Sequence, residues 1–242
     1  MAEFKLPTEV VELPSKGLVY PKDNPLSSGQ IEMKYMTAKE EDILTNQSYI
    51  QKGTVVDKLL QSLIVSKINY DDLIVGDKNA ILIAARVLGY GKDYSFEYKG
   101  TKTTIDLSTL EHKQINLELF TEGTNSFNFE LPATGTKITF KLLTGKDEKA
   151  IDRELAGLRK INKDDVPELT TRLKYFITAV DGDTDQKTIR SFVDQQLLAR
   201  DSRALREYIR EIQPDVDMTY IPEGEDTPVV VPVTATFLYP DF

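Results

Sequence analysis

Three apolar stripes recur along the chain at helical spacing. Val55, Val56, Leu59, Leu60, Leu63 and Ile64 form the first; Leu169, Leu173, Phe176, Ile177 and Val180 the second; Ala204, Leu205, Tyr208, Ile209 and Ile212 the third. Steps of three and four place each set on one helix face, so each predicts an amphipathic helix lying on a core. β-prone segments lie between and after them. "TTIDL" follows a turn at Gly100, and the run from Val229 to Leu238 predicts the second strand of a hairpin turning at Gly224. Pro228 and Pro232 suit an edge position in that hairpin, and an uncovered edge invites pairing with another chain.

The pattern repeats. "ELPSKG" at 12–17 returns as "ELPATG" at 130–135, and "IEMKYMTAKEEDIL" from Ile31 aligns with "ITFKLLTGKDEKAI" from Ile138. In register, Lys34 meets Lys141, Thr37 meets Thr144, Glu40 meets Asp147 and Glu41 meets Glu148. Each threonine stands three residues before a carboxylate. That is the spacing of an N-cap and its third helical residue, where the hydroxyl takes an orphan amide and the acids face the positive helix end. Both segments therefore read as strand, sharp turn, helix. Further on, "DKNAILIAARVL" from Asp77 aligns with "DSRALREYIREI" from Asp201, which pairs Ala80 with Ala204 and Arg86 with Arg210. The expected fold class is α+β: two divergent copies of a strand–helices–β-hairpin unit, with small antiparallel sheets covered by helix clusters. The copies divide the chain into an N-terminal unit, 1–118, with an extended arm over about 1–30, and a C-terminal unit, 119–242.

Composition narrows the function classes. In 242 residues, 40% hydrophobic and 29% charged describe a folding chain. Acidic residues outnumber basic ones 39 to 30, a net charge of −9 that repels a phosphate backbone, so no nucleic acid is expected as a partner. The basic stretch from Arg153 to Lys163 interleaves acids and aliphatics and reads as a solvated helix face. With no cysteine, thiolate nucleophiles, disulfides and Cys-based metal sites are excluded. No basic-then-apolar leader opens the sequence, and no run approaches the roughly 18 apolar residues of a membrane span, so a cytoplasmic origin without membrane insertion is expected.

Candidate chemistry is thin. His112 stands alone between a strand and a polar linker and reads as a surface histidine; no serine sits in a G-x-S-x-G pattern. "DGDTDQ" at 181–186 begins like a calcium loop but places Gln186 and Phe192 where glycine and a carboxylate are required, so it reads as a turn and a helix cap. "GYGK" at 89–92 follows a helix instead of preceding one, so a glycine there reads as a helix stop and not a phosphate loop. The acid pairs Glu40–Glu41 and Asp147–Glu148 are explained by the helix starts they occupy. No catalytic, metal or cofactor residues are expected, no small-molecule substrate, and no enzyme activity.

The segment "VELPSKGLVYP" at 11–21 is the exception to this blandness. Pro14 and Pro21 break any helix and push their predecessors toward extended geometry, which suggests an extended arm with a turn at Lys16 and Gly17. Either Leu18, Val19 and Tyr20 cover the chain's own domain as a lid, or the arm docks on another chain.

"LPSKGLVYP", "GQIEMKYMTAKEEDILTNQSYIQKGTVVDKLLQSLIV", "GDKNAILIAARVLGYGKDY" and "DSRALREYIREIQPDVD" together resemble the baseplate hub subunit family of T-even-like contractile-tailed phages. The resemblance spans nearly the whole chain and is looser at its end, "TFLYPDF", in a chain without tryptophan. It implies a non-enzymatic structural subunit of the virion's tail baseplate, assembled in the host cytoplasm and contacting other hub proteins or the tape-measure protein. A cytoplasmic assembly chaperone for the tape-measure protein or a hub intermediate is the alternative. The residues expected to meet partners are Pro14, Ser15, Lys16, Gly17, Leu18, Val19, Tyr20 and Pro21 in the arm, and Phe237, Tyr239, Pro240 and Phe242 at the end of the chain.

Overall fold

The structure is a computed structural model and describes residues 7–164, 166–222, 226–233 and 237–238. Its class is α+β, with small antiparallel sheets and helices packed over them. Strand β1 (Thr8–Glu12) pairs with β2 (Gln30–Lys34), Val10 standing opposite Glu32. Helices α1 (Ala38–Leu44), α2 (Gln47–Gln51), α3 (Val55–Leu63) and α4 (Val75–Tyr90) follow, and the hairpin of β3 (Asp93–Tyr98) and β4 (Thr101–Asp106) completes the first half. The second half runs β5 (Phe127–Glu130), β6 (Lys137–Phe140), α5 (Gly145–Ile161), α6 (Glu168–Phe176) and β7 (Ile177–Val180). Helices α7 (Gln186–Gln195) and α8 (Ala199–Ile212) follow, then β8 (Thr219–Tyr220) and β9 (Val229–Val230).

Both predicted helix starts form. The Thr37 amide donates to Glu40 at 3.0 Å and the Thr144 amide to Asp147 at 3.0 Å, while Lys34 reaches Glu40 at 2.8 Å and Lys141 reaches Asp147 at 2.7 Å. Thr144 also accepts the Asp147 amide at 3.4 Å; the Thr37 hydroxyl donates to Glu40 at 2.6 Å. Gly91, at φ 84°, ends α4 as expected of a helix stop. At Asp181 and Gly182, φ 47° and 85°, the chain turns, and Asp185 caps α7.

Two expectations change. The second stripe is not one helix: α6 ends at Phe176, and Ile177–Val180 forms β7 against β6, because this β-branched run completes a sheet. The arm is not extended beyond Glu12, since Lys16, Leu18, Tyr20 and Asn24 each donate a main-chain bond three residues back. Of the β-prone run at the chain's end, the described residues place Val229–Val230 in a strand, opposite Tyr220 and Thr219, and Val231 donates to the Met218 carbonyl at 2.7 Å.

One buried cluster runs through both halves, from Leu13 and Met33 to Phe140, Leu205 and Phe237; Leu143, Ile151 and Leu155 form a smaller one. The halves meet where Gly145 donates to Leu73 at 2.9 Å, Lys149 pairs with Asp71 at 2.5 Å and Asn79 donates to Asp215 at 2.9 Å. Gly76 sits so close to Pro214 that a β-carbon there would fall 1.7 Å from the Pro214 carbonyl oxygen.

Candidate functional site

The arm wraps around one carboxylate. Lys16 and Gly17 both take left-handed backbone, φ 50° and 78°, and make the predicted turn, with Leu18 donating to the Ser15 carbonyl at 3.0 Å. A β-carbon on Gly17 would lie 2.3 Å from the Ser27 carbonyl oxygen, so the turn needs glycine for space as well as for φ. The turn points Ser15 inward at Asp77, in the first turn of α4. Asp77 accepts the Ser15 amide at 2.9 Å, the Ser15 hydroxyl at 2.7 Å and the Tyr20 hydroxyl at 2.5 Å. Tyr20 in turn accepts the Ile74 amide at 3.0 Å. Ser15 and Asp77 are fully buried, and Leu13, Val19 and Tyr20 join the core around them.

Burial pushes the Asp77 carboxyl above its ordinary range, against the pull of the Tyr20 and Ser15 hydrogen bonds. Burial, with the Asp77 charge beside it, raises the Tyr20 hydroxyl well above its usual value. The donors around Asp77 come from the chain itself and the cluster is closed to solvent. Its effect is to fasten the arm.

The second half carries a matching contact. Asp201, buried in the first turn of α8, accepts the Ala133 amide at 2.7 Å and the Thr134 hydroxyl at 2.9 Å. "ELPATG" and Asp201 thus meet as "ELPSKG" and Asp77 do.

Of the candidate partner-binding residues, Pro14, Ser15, Gly17, Val19 and Tyr20 are buried against their own chain and Leu18 is half-buried; Lys16 and Pro21 are exposed. The arm's apolar side chains Leu13, Val19 and Tyr20 find their core within the chain, as expected of a lid. Phe237 is likewise buried, edge-on to Tyr94 at 5.0 Å, and Tyr239, Pro240 and Phe242 lie outside the described residues. Nothing local marks either carboxylate, since Asp77 lies 62 residues from the Ser15 amide and Asp201 lies 68 residues from the Ala133 amide.

His112 is half-buried: its backbone bridges to Val216 and it helps to wall an apolar groove of about 290 Å³ between β1 and α4. Among the described residues, no group of three or more His, Asp or Glu is placed to hold a metal ion, and no helix is long and apolar enough to cross a membrane.

Comparison with family models, curated proteins and solved structures finds no match to this chain.

Proposed function

We propose that this chain is a non-enzymatic structural subunit of a phage tail baseplate hub, acting through protein–protein contacts with other hub proteins or the tape-measure protein. The observation that carries the reading is the fate of the residues behind the resemblance. The most distinctive segment, "LPSKGLVYP", builds a fastened turn around Asp77, and the charged helix starts build capped, lysine-braced turns at Glu40 and Asp147. The motifs thus describe a scaffold, so function on this reading resides in the surfaces the scaffold presents. The parallel contacts at Asp77 and Asp201 support two related units in one chain, which would offer related surfaces to partners arranged around an axis.

Cross-linking followed by mass spectrometry on purified tails tests the reading. Cross-links from this chain to hub or tape-measure proteins within assembled tails are expected. Cross-links confined to unassembled precursors would replace the structural role with that of an assembly chaperone.

A further inference from the structure

The groove between β1 and α4 lies beside a free sheet edge. Leu13 donates to the Gly29 carbonyl and Tyr35 to the Pro7 carbonyl, so the odd-numbered residues of β1 make its bonds to β2. The amides and carbonyls of Thr8, Val10 and Glu12 therefore point away from β2, and no main chain among the described residues pairs with them. The far side of β2 is covered instead: Val65 donates to the Glu32 carbonyl at 2.8 Å and Ser66 accepts the Glu32 amide at 2.8 Å. The open edge is the one facing the groove.

The floor of the groove is a continuous stripe of α4: Ala80, Ile83, Ala84, Val87 and Leu88. The second half shows what a closed version looks like. In the register of the repeats, Phe129 stands for Val11, Tyr208 for Ala84 and Glu211 for Val87. There the Phe129 and Tyr208 rings stack 4.8 Å apart and fill the space between sheet and helix. In the first half valine and alanine replace both rings, leaving apolar space under an unpaired strand edge. Such an edge is a liability unless something covers it.

We propose that this groove receives an extended segment of another protein, added as a strand to the Thr8–Glu12 edge, with apolar residues alternating with lysine or arginine. Strand addition draws affinity from main-chain bonds and specificity from pockets for alternate side chains. The basic residues are called for by Glu12, which lines the groove and forms no ion pair among the described residues, on a chain of net charge −9; Glu9, on the other face of the strand, accepts the Tyr35 hydroxyl at 3.0 Å. A second copy fits poorly, because its β1, Thr-Glu-Val-Val-Glu, offers no basic residue to meet Glu12. The proposal deepens the reading of this chain as an interaction subunit and rests on it only for the existence of a protein partner.

The test is binding of a fluorescent ten-residue peptide alternating valine and lysine to the full chain, against a valine–glutamate peptide, with amide hydrogen exchange read in parallel. The valine–lysine peptide binds, the acidic one binds at least tenfold more weakly, and exchange at Thr8, Val10 and Glu12 slows. Ala84→Tyr, which installs the residue the second half uses, weakens binding at least tenfold. Val87→Lys, on a half-exposed position, sets a like charge against the peptide's lysines and does the same should the tyrosine disturb folding. Absence of binding, binding insensitive to both substitutions, no slowing at those amides, or their protection in the free chain by a dimer would each overturn the proposal. Cross-links to hub proteins would survive that failure, so the two readings are separable.

Discussion

Asp77 accepts the Ser15 amide at 2.9 Å, and across the chain Asp201 accepts the Ala133 amide at 2.7 Å. Each aspartate lies in the first turn of a long helix, and each holds the turn after a Leu-Pro step. The Asp77 site is the larger, with both hydroxyls of Ser15 and Tyr20 added. Asp77→Ala leaves those donors without their acceptor and is expected to cost about 3 kcal/mol. Asp201→Ala, which releases one amide and one hydroxyl, costs less. Urea titrations of both variants give the order; a larger loss at Asp201 would contradict it.

Removing residues 12–21 strips Leu13, Val19 and Tyr20 from the core and orphans Asp77. The isolated chain should then melt at a lower temperature, or fail to fold. An unchanged Tm would mean that the segment is not a lid.

Glu40 is fully buried. Burial pushes its carboxyl up, but hydrogen bonds from Lys34, Thr37 and Ser62 outweigh it and hold the pKa at about 2, below the ordinary 4.5. A depressed carboxylate contributes stability above its unfolded pKa and loses it as pH falls through the folded value. The stability gap between the native chain and Glu40→Gln should therefore be about 3 kcal/mol at pH 7 and close between pH 4.5 and pH 2. A gap that does not vary with pH would remove the charge from the explanation.

At Gly76, α4 packs directly against the backbone of Pro214. Gly76→Ala puts a methyl group 1.7 Å from the Pro214 carbonyl oxygen, so α4 and the segment after α8 must separate. A loss of about 2 kcal/mol or more is expected, as for other overpacked contacts. Gly53→Ala, where the added methyl meets open space at φ 66°, is the control and should cost less.

Much of this scaffold was legible in the chain because the signals are local. The threonine–carboxylate spacing at 37 and 40, the Lys16–Gly17 turn and the stop at Gly91 each depend on residues a few positions apart. What escaped is long-range. The Ser15–Asp77 bond needs the arm laid across α4, and β7 looked helical because Ile177 and Val180 also extend a helical stripe. The groove was invisible for a different reason, being made by missing bulk. Ala84 signals nothing until the structure shows Tyr208 filling the corresponding space.

The most direct test of the central claim is to quantify this chain by mass spectrometry in purified, infectious particles, against a baseplate component of known copy number. A fixed small-integer ratio is expected of a structural hub subunit. Absence from particles, with abundance in infected-cell lysate, would contradict it and make the chain an assembly chaperone.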